Sequence, residues 1–297
     1  MILVTGGSGR LGSLLVAELL GEGTPVRVLT RSVEAADRLR ALGAECVVGD
    51  VRVPGDAARA VARCTGVVSA MSGFGPGTAT PEAVDRDGNR ILIGAAAQAG
   101  VERFVLLSVQ GAAENAPIPL FRMKYAAEQA LRSSGLAWTI IRPTSYLETH
   151  LDAIGAPLRK KGSTQLFGSG RVLVNFVSVR DVAALVLRAL HDTALTGRVV
   201  ELGGQDLTME TLSTALHAAN GTSGKVRRIP LAALRGMAVL ARPFSPFLAR
   251  AAQAAVVTNT TDVRFDPLPD RATVPGLPFT TLDDVLAERG ALTRSVD

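Results

Sequence analysis

Residues 2–12 read Ile2-Leu3-Val4-Thr5-Gly6-Gly7-Ser8-Gly9-Arg10-Leu11-Gly12. A short apolar run ends in glycines spaced three apart, Gly6, Gly9 and Gly12, and an amphipathic stretch, Leu11–Leu20, follows at once. Strand, glycine turn and helix in that order give the spacing a chemical meaning. Glycines let backbone N–H groups approach a pyrophosphate, and a helix N-terminus favours its negative charge. An ordinary glycine-rich turn is the alternative, and the flanking strand and helix weigh against it.

Outward from this stretch the alternation repeats. Ile2–Thr5, Val26–Thr30, Glu45–Val48, Gly66–Ser69, Phe104–Ser108 and Trp138–Arg142 read as strands. Leu11–Leu20, Val33–Leu42, Pro54–Ala62, Ala83–Ala99 and Leu120–Ser134 read as helices between them. This rhythm predicts an α/β fold, a doubly wound parallel sheet covered on both faces. Gly100 and Gly135 directly follow helices, where a left-handed cap needs glycine. After Pro143 the rhythm loosens. Phe176–Ser178 and Val199–Leu202 still read as strands, with Asp181 expected to cap a helix running to Leu190. Thr208–Asn220, Leu231–Leu240 and Leu282–Arg289 read as helices, and Pro243 and Pro246 separate the second of these from a further one.

The 297 residues suit one large domain or two closely joined ones. With 47% hydrophobic and 20% charged residues, general disorder and fibrous architectures are excluded. Cys46 and Cys64 cannot form a disulfide framework, no Cys/His cluster suggests a metal, and their scarcity fits a reducing cytoplasm. The chain opens without a basic leader, and no apolar run of about 18 residues spans a bilayer. The net charge of +5 is local. Thr211–Thr261 contains no acid but carries Lys225, Arg227, Arg228, Arg235, Arg242 and Arg250, so the total does not indicate nucleic-acid binding. Arginines edging apolar helices there suit either solvated cap helices, the favoured reading, or peripheral contact with anionic lipid. Oligomeric state is not indicated.

The second strand separates the two nicotinamide cofactors. An acidic residue about 20 positions past the glycines would bind a ribose 2′-hydroxyl. Arg31 stands nineteen positions past Gly12, and no carboxylate precedes Glu34. A guanidinium pairs with a 2′-phosphate, and Arg10 can add a second cation, so NADP(H) is expected over NAD(H). Asp50, in Gly49-Asp50-Val51, either accepts from an adenine amino group or marks a turn. Ser69, Ala70 and Met71 follow the fourth strand and suit close passage beside a cofactor. The candidate cofactor set is Thr5, Gly6, Gly7, Ser8, Gly9, Arg10, Leu11, Gly12, Arg31, Ser32, Asp50, Val51, Ser69, Ala70, Met71, Ser108, Lys124 and Pro143.

The whole order resembles the NmrA-like, atypical short-chain dehydrogenase/reductases. The match rests on Thr5–Gly12, Gly49-Asp50, Asp85-x-x-Gly88-Asn89 and Gly100-Val101-x-Arg103-Phe104-Val105-x-x-Ser108. It continues through Lys124-x-x-x-Glu128, Ser134-Gly135-Leu136-x-Trp138-Thr139-Ile140-x-Arg142-Pro143 and Phe176-Val177-x-Val179-x-Asp181. The resemblance implies an NAD(P)-binding Rossmann domain over 1–143. It also implies a smaller carboxy-terminal substrate-cap region over 144–297, with segments near 172–205 returning to the sheet edge. It further implies NADPH-dependent reduction of small apolar or phenolic molecules or quinones, or cofactor sensing without turnover. The departure is at the Tyr-x-x-x-Lys pair of catalytic relatives. Lys124 holds the lysine place, but four residues earlier stands Leu120, which has no acidic proton, and Asp85 stands where relatives often carry asparagine. Lys124, Ser108, Tyr146 and His150 are the remaining catalytic candidates, with Lys124 either a proton donor or a ribose contact. The expected function is NADP(H)-dependent reduction of a small, largely apolar carbonyl or quinone. A non-catalytic redox sensor is the alternative.

Overall fold

β1 (Ile2–Thr5) is buried at all four positions because it lies inside a seven-stranded sheet. The structure, a computed structural model, describes residues 1–75, 79–222, 224–261, 265–266 and 268–294. After β1 come α1 (Arg10–Gly21), β2 (Val26–Thr30), α2 (Val33–Ala41), β3 (Glu45–Val48), α3 (Pro54–Val61) and β4 (Gly66–Ser69). A π-helical segment, Glu82–Gly88, runs into α4 (Asn89–Gln98), followed by β5 (Arg103–Leu107), α5 (Pro119–Arg132) and β6 (Trp138–Pro143). Next are β7 (Ser145–Tyr146), α6 (Leu147–Gly155), α7 (Leu158–Lys161), β8 (Ser163–Phe167), β9 (Leu173–Val177), α8 (Val179–His191) and β10 (Arg198–Leu202). The chain continues through β11 (Gln205–Thr208), α9 (Met209–Ala219), β12 (Lys225–Ile229), α10 (Leu231–Leu240), α11 (Pro246–Thr260), α12 (Leu268–Thr273) and α13 (Leu282–Arg294).

Two compact units result: Met1–Pro143 with Val182–Glu201, and Thr144–Asp181 with Leu202–Asp297. The first holds the parallel sheet, ordered β10-β6-β5-β4-β1-β2-β3. The chain winds from β1 out to β3, then returns to place β4 on the other side of β1. That reversal opens a crevice beyond the carboxyl ends of β1 and β4, where doubly wound sheets bind ligands. Leu3, Phe104, Leu106 and Ile140 from the strands pack with Leu92 and Leu131 from the helices to fill the core. Gly100 and Gly135 take φ of 68° and 78°, as helix caps of this kind require.

The second unit has a three-stranded sheet, β11-β9-β7, and a parallel pair, β12-β8, around Leu147, Leu151, Phe176, Leu212 and Leu216. Of the region near 172–205, Arg198–Leu202 forms the edge of the large sheet, whereas Leu173–Val177 pairs with β7 and β11 in the second unit. Asp181 is not the cap of α8. The Val179 N–H points at the Glu148 carboxylate, with oxygens at 3.1 and 3.2 Å, and Asp181 instead accepts from Thr280 and Arg271. The stretch 83–99 is helical without a break through Gln98, π-helical over Glu82–Gly88 and α-helical over Asn89–Gln98.

Candidate functional site

The glycine loop is shaped by backbone meeting backbone. A Cβ on Gly12 would lie 2.1 Å from the Gly6 carbonyl oxygen, and one on Gly6 would lie 2.6 Å from the Ala70 carbonyl oxygen. Gly6 also takes φ of 78°, a conformation that disfavours side chains. A Cβ on Gly7 would strike the Val28 side chain at 2.7 Å. Glycine at these places lets α1 begin directly against the end of β1. The α1 N-terminus has no side-chain cap and no acidic residue in its first turn. Positive partial charge and a cradle without side chains therefore coincide, which fits a pyrophosphate. Ser8 and Arg10 are exposed beside it, while Thr5 and Leu11 are buried, the Thr5 hydroxyl donating to the Val68 carbonyl at 3.4 Å.

Beyond β2, Arg31 is exposed and neither hydrogen-bonds nor ion-pairs with any described residue. Its neighbour Ser32 is committed to α2, where its Oγ accepts from the Ala35 N–H at 3.1 Å and donates to Glu34 at 2.6 Å. Asp50 is held by Arg52. The guanidinium Nε lies 3.0 Å from both carboxylate oxygens, and Nη2 lies 2.5 Å from one of them. That hydrogen bonding holds the Asp50 carboxyl below its ordinary range, and the charge of Arg31 adds to the effect. An adenine amino group would have to share oxygens that Arg52 already occupies. Arg31 and Arg52 thus bring two guanidiniums to the β2 and β3 ends, and the second was not singled out from sequence. Its signal was the Asp50-x-Arg52 spacing. Val51 lies in the core.

Behind the crevice sits a buried ion pair. Lys124, on α5, donates to the carbonyls of Met71 at 2.9 Å and Leu107 at 2.8 Å. Its Nζ lies 3.0 Å from Asp85 Oδ1, within ion-pair range but outside hydrogen-bond geometry. The other Asp85 oxygen accepts from the Gly73 N–H at 2.7 Å. Two of its N–H groups are taken by these carbonyls, and Asp85 balances its charge. Lys124 therefore ties the segment after β4 to the end of β5, and that same segment, at Ala70, supports Gly6. Ser69 is turned away from the crevice, its hydroxyl donating to Asn89 at 2.6 Å. Leu120 is one turn before Lys124 and offers no proton.

Ser108 donates to Glu128, which is buried and also accepts from Arg142 at 2.9 and 2.6 Å. Arg142 reaches Glu201 at 3.2 Å as well, so it ties β6 to both α5 and β10. This leaves the Ser108 hydroxyl able to accept but not to donate toward a substrate. Pro143 ends β6 with its carbonyl accepting from the Gln110 N–H at 2.9 Å. The spacing Lys124-x-x-x-Glu128 places both groups on one helix face and was the sequence signal for Glu128.

Tyr146 and His150 belong to the second unit, one turn apart around the start of α6. Burial pushes the Tyr146 phenol well above its ordinary range, so it is a poor acid. His150 Nδ1 lies 2.9 Å from the Tyr146 carbonyl. A carbonyl only accepts, so Nδ1 carries the proton and Nε2 is the basic nitrogen. Burial holds the ring below its ordinary pKa, and Phe176 packs edge-on at 5.0 Å. Among the described residues no group of His, Cys, Asp and Glu could hold a metal.

A parallel sheet with a glycine cradle at its topological switch point and cations at the next strand ends defines a dinucleotide-binding protein. Residues 6–193 match the NAD(P)H-binding family model, and the chain belongs to that family, within the NmrA-like, atypical short-chain dehydrogenase/reductases. The photosystem II assembly factor Ycf39 of Trieres chinensis is 30% identical over 79% of this chain and 73% of its own. An NAD(P)H azoreductase of Xenophilus azovorans is 32% identical over 74% of each chain. In fold, the NADPH complex of an Escherichia coli NADPH-dependent quinone oxidoreductase superposes with a TM-score of 0.76. That comparison covers 97% of this chain and 99% of that one, at 23% identity.

Proposed function

We propose that the protein is an NADPH-dependent reductase of small, largely apolar quinones, taking NADP(H) in preference to NAD(H). Gly6, Gly7, Gly9, Gly12 and the α1 N-terminus would hold the pyrophosphate, and Arg31 with Arg52 the 2′-phosphate. NADPH bound there supplies a hydride. The protein's part is orientation. Lys124 and Asp85 fix the segment against which the glycine loop rests, and Glu128 with Arg142 fixes the end of β5.

The observation that carries the choice of acceptor is the buried, ion-paired Lys124 ammonium, donating to two backbone carbonyls, with Leu120 in place of a tyrosine. Reducing an aldehyde or ketone yields a strongly basic alkoxide, which needs a positioned acid. A reduced quinone spreads its charge over an aromatic ring and takes its proton from water. The acid candidate of the first unit, Lys124, is ion-paired and donates to two carbonyls, so a quinone suits the site better than a simple carbonyl. The azoreductase and quinone oxidoreductase among the similar proteins are in keeping with this reading. Cys46 and Cys64 are both free thiols, in keeping with a reducing cytoplasm.

The same ion-paired ammonium also suits a second reading, a protein that holds NADP(H) without turnover. The similarity to proteins named as photosystem II assembly factors favours it. Steady-state oxidation of NADPH and NADH with a soluble quinone tests the proposal. Turnover with a lower KM for NADPH is expected. Tight NADPH binding with no turnover on any quinone supports the second reading.

A further inference from the structure

α10 and α11 pack against each other and are joined by residues 241–245. That turn is tight: the N–H groups of Phe244 and Ser245 donate to the Ala241 carbonyl at 3.1 and 2.7 Å. The Ser245 hydroxyl then caps α11 by accepting from the Leu248 N–H at 3.3 Å. The turn is held in one conformation, yet it presents apolar side chains to solvent. Phe244 is 89% exposed, Leu240 74%, Val239 60% and Leu248 41%. Inward, α10 buries Leu234 and α11 buries Ala249 and Ala252, so the packed faces use other residues. Single exposed apolar residues need no explanation, but four clustered about one turn mark a contact surface.

The segment's own charge has one sign. No acidic residue occurs between Glu210 and Asp262. Arg242 is exposed two residues before Phe244, its Nε donating back to the Ala238 carbonyl at 3.1 Å. Arg235 is also exposed, on α10 itself. The apolar cluster is also small. A stable protein interface takes roughly 20–30 residues a side, far more than one turn provides. A few apolar side chains with arginines at their edge suffice for the boundary between lipid headgroups and acyl chains. None of the described helices is long and apolar enough to cross a membrane, so the contact would be peripheral.

We infer that the α10–α11 turn docks on an anionic lipid surface, with Phe244, Leu240, Val239 and Leu248 entering the bilayer edge and Arg235 and Arg242 facing lipid phosphates. The inference stands apart from the choice of substrate. Its test is co-sedimentation of the full chain at physiological salt with two kinds of vesicle, phosphatidylcholine alone and phosphatidylcholine mixed with phosphatidylglycerol. Binding to the mixed vesicles and little to the neutral ones is expected. Phe244→Ser and Leu240→Ser should each weaken binding roughly tenfold. Arg235→Gln with Arg242→Gln should remove the preference for phosphatidylglycerol. Unchanged thermal unfolding of each variant shows that the fold is intact. A parent protein that stays in the supernatant overturns the proposal, as does equal binding by parent and serine variants. A serine variant that turns a dimer into a monomer without altering vesicle binding overturns it too, and assigns the turn to a second copy of the chain.

Discussion

At the scale of single residues, the site turns on two cations with opposite situations. Arg31 is exposed and free of hydrogen bonds and ion pairs to the described residues, whereas Lys124 is buried, ion-paired and donating to two carbonyls. Losing a charge-assisted bond to a phosphate costs about 1.5–3 kcal/mol. Arg31→Ala should therefore raise the NADPH Kd roughly tenfold to a hundredfold and leave the NADH Kd nearly unchanged, as cofactor titration by fluorescence would show. Lys124→Met strands Asp85 in the interior, and breaking a buried pair costs about 3–5 kcal/mol. Chemical denaturation should show that loss, and adding Asp85→Asn should restore most of it. The glycine spacing and Arg31 were legible because each is a local pattern whose chemistry depends on position alone. What Lys124, Ser108 and Asp50 bond to was not legible. Their partners Asp85, Glu128 and Arg52 are chosen by side-chain conformation and by helix packing, which spacing does not determine.

At the scale of elements, the inner strands of the first unit were readable because burial on both faces makes them largely apolar. Val26–Thr30 and Gly66–Ser69 fall where the sequence placed them. The strand read at Phe176–Ser178 overlaps the observed Leu173–Val177, which joined another sheet because pairing partners are a tertiary choice. The strand Lys225–Ile229 was missed because it is exposed at four of its five positions and reads as a charged loop. The π-helical segment escaped because seven residues are too few to distinguish its period from that of an α-helix. α1 can start where it does only without a Cβ at Gly12. Gly12→Ala should cost about 1–3 kcal/mol through overpacking and also abolish NADPH binding, measured by thermal unfolding and titration. In α6, His150 is held below its ordinary value of 6.5 by burial. The unfolded chain then binds more protons than the folded one as the pH falls through that value. Stability should be full above about pH 6.5 and decline below it. His150→Gln should flatten that acid limb in a series of denaturation curves.

At the scale of the whole molecule, each unit has its own core and its own sheet, and the family match ends at residue 193. The cofactor-binding half was therefore open to reading from motifs. In the second unit, whose side chains would select a substrate, the pattern reached only through Asp181, and Leu202–Asp297 had no comparable one. On the proposed function the protein would be an orienting scaffold, lining up donor and acceptor while the acceptor takes its proton from water. Stopped-flow oxidation of NADPH by the purified protein, with a quinone and an aldehyde of similar size compared side by side, tests this most directly. Rapid oxidation with the quinone and none above background with the aldehyde is expected. Efficient aldehyde reduction, lost in Lys124→Met while NADPH binding survives, would contradict the proposed function by showing that Lys124 delivers the proton.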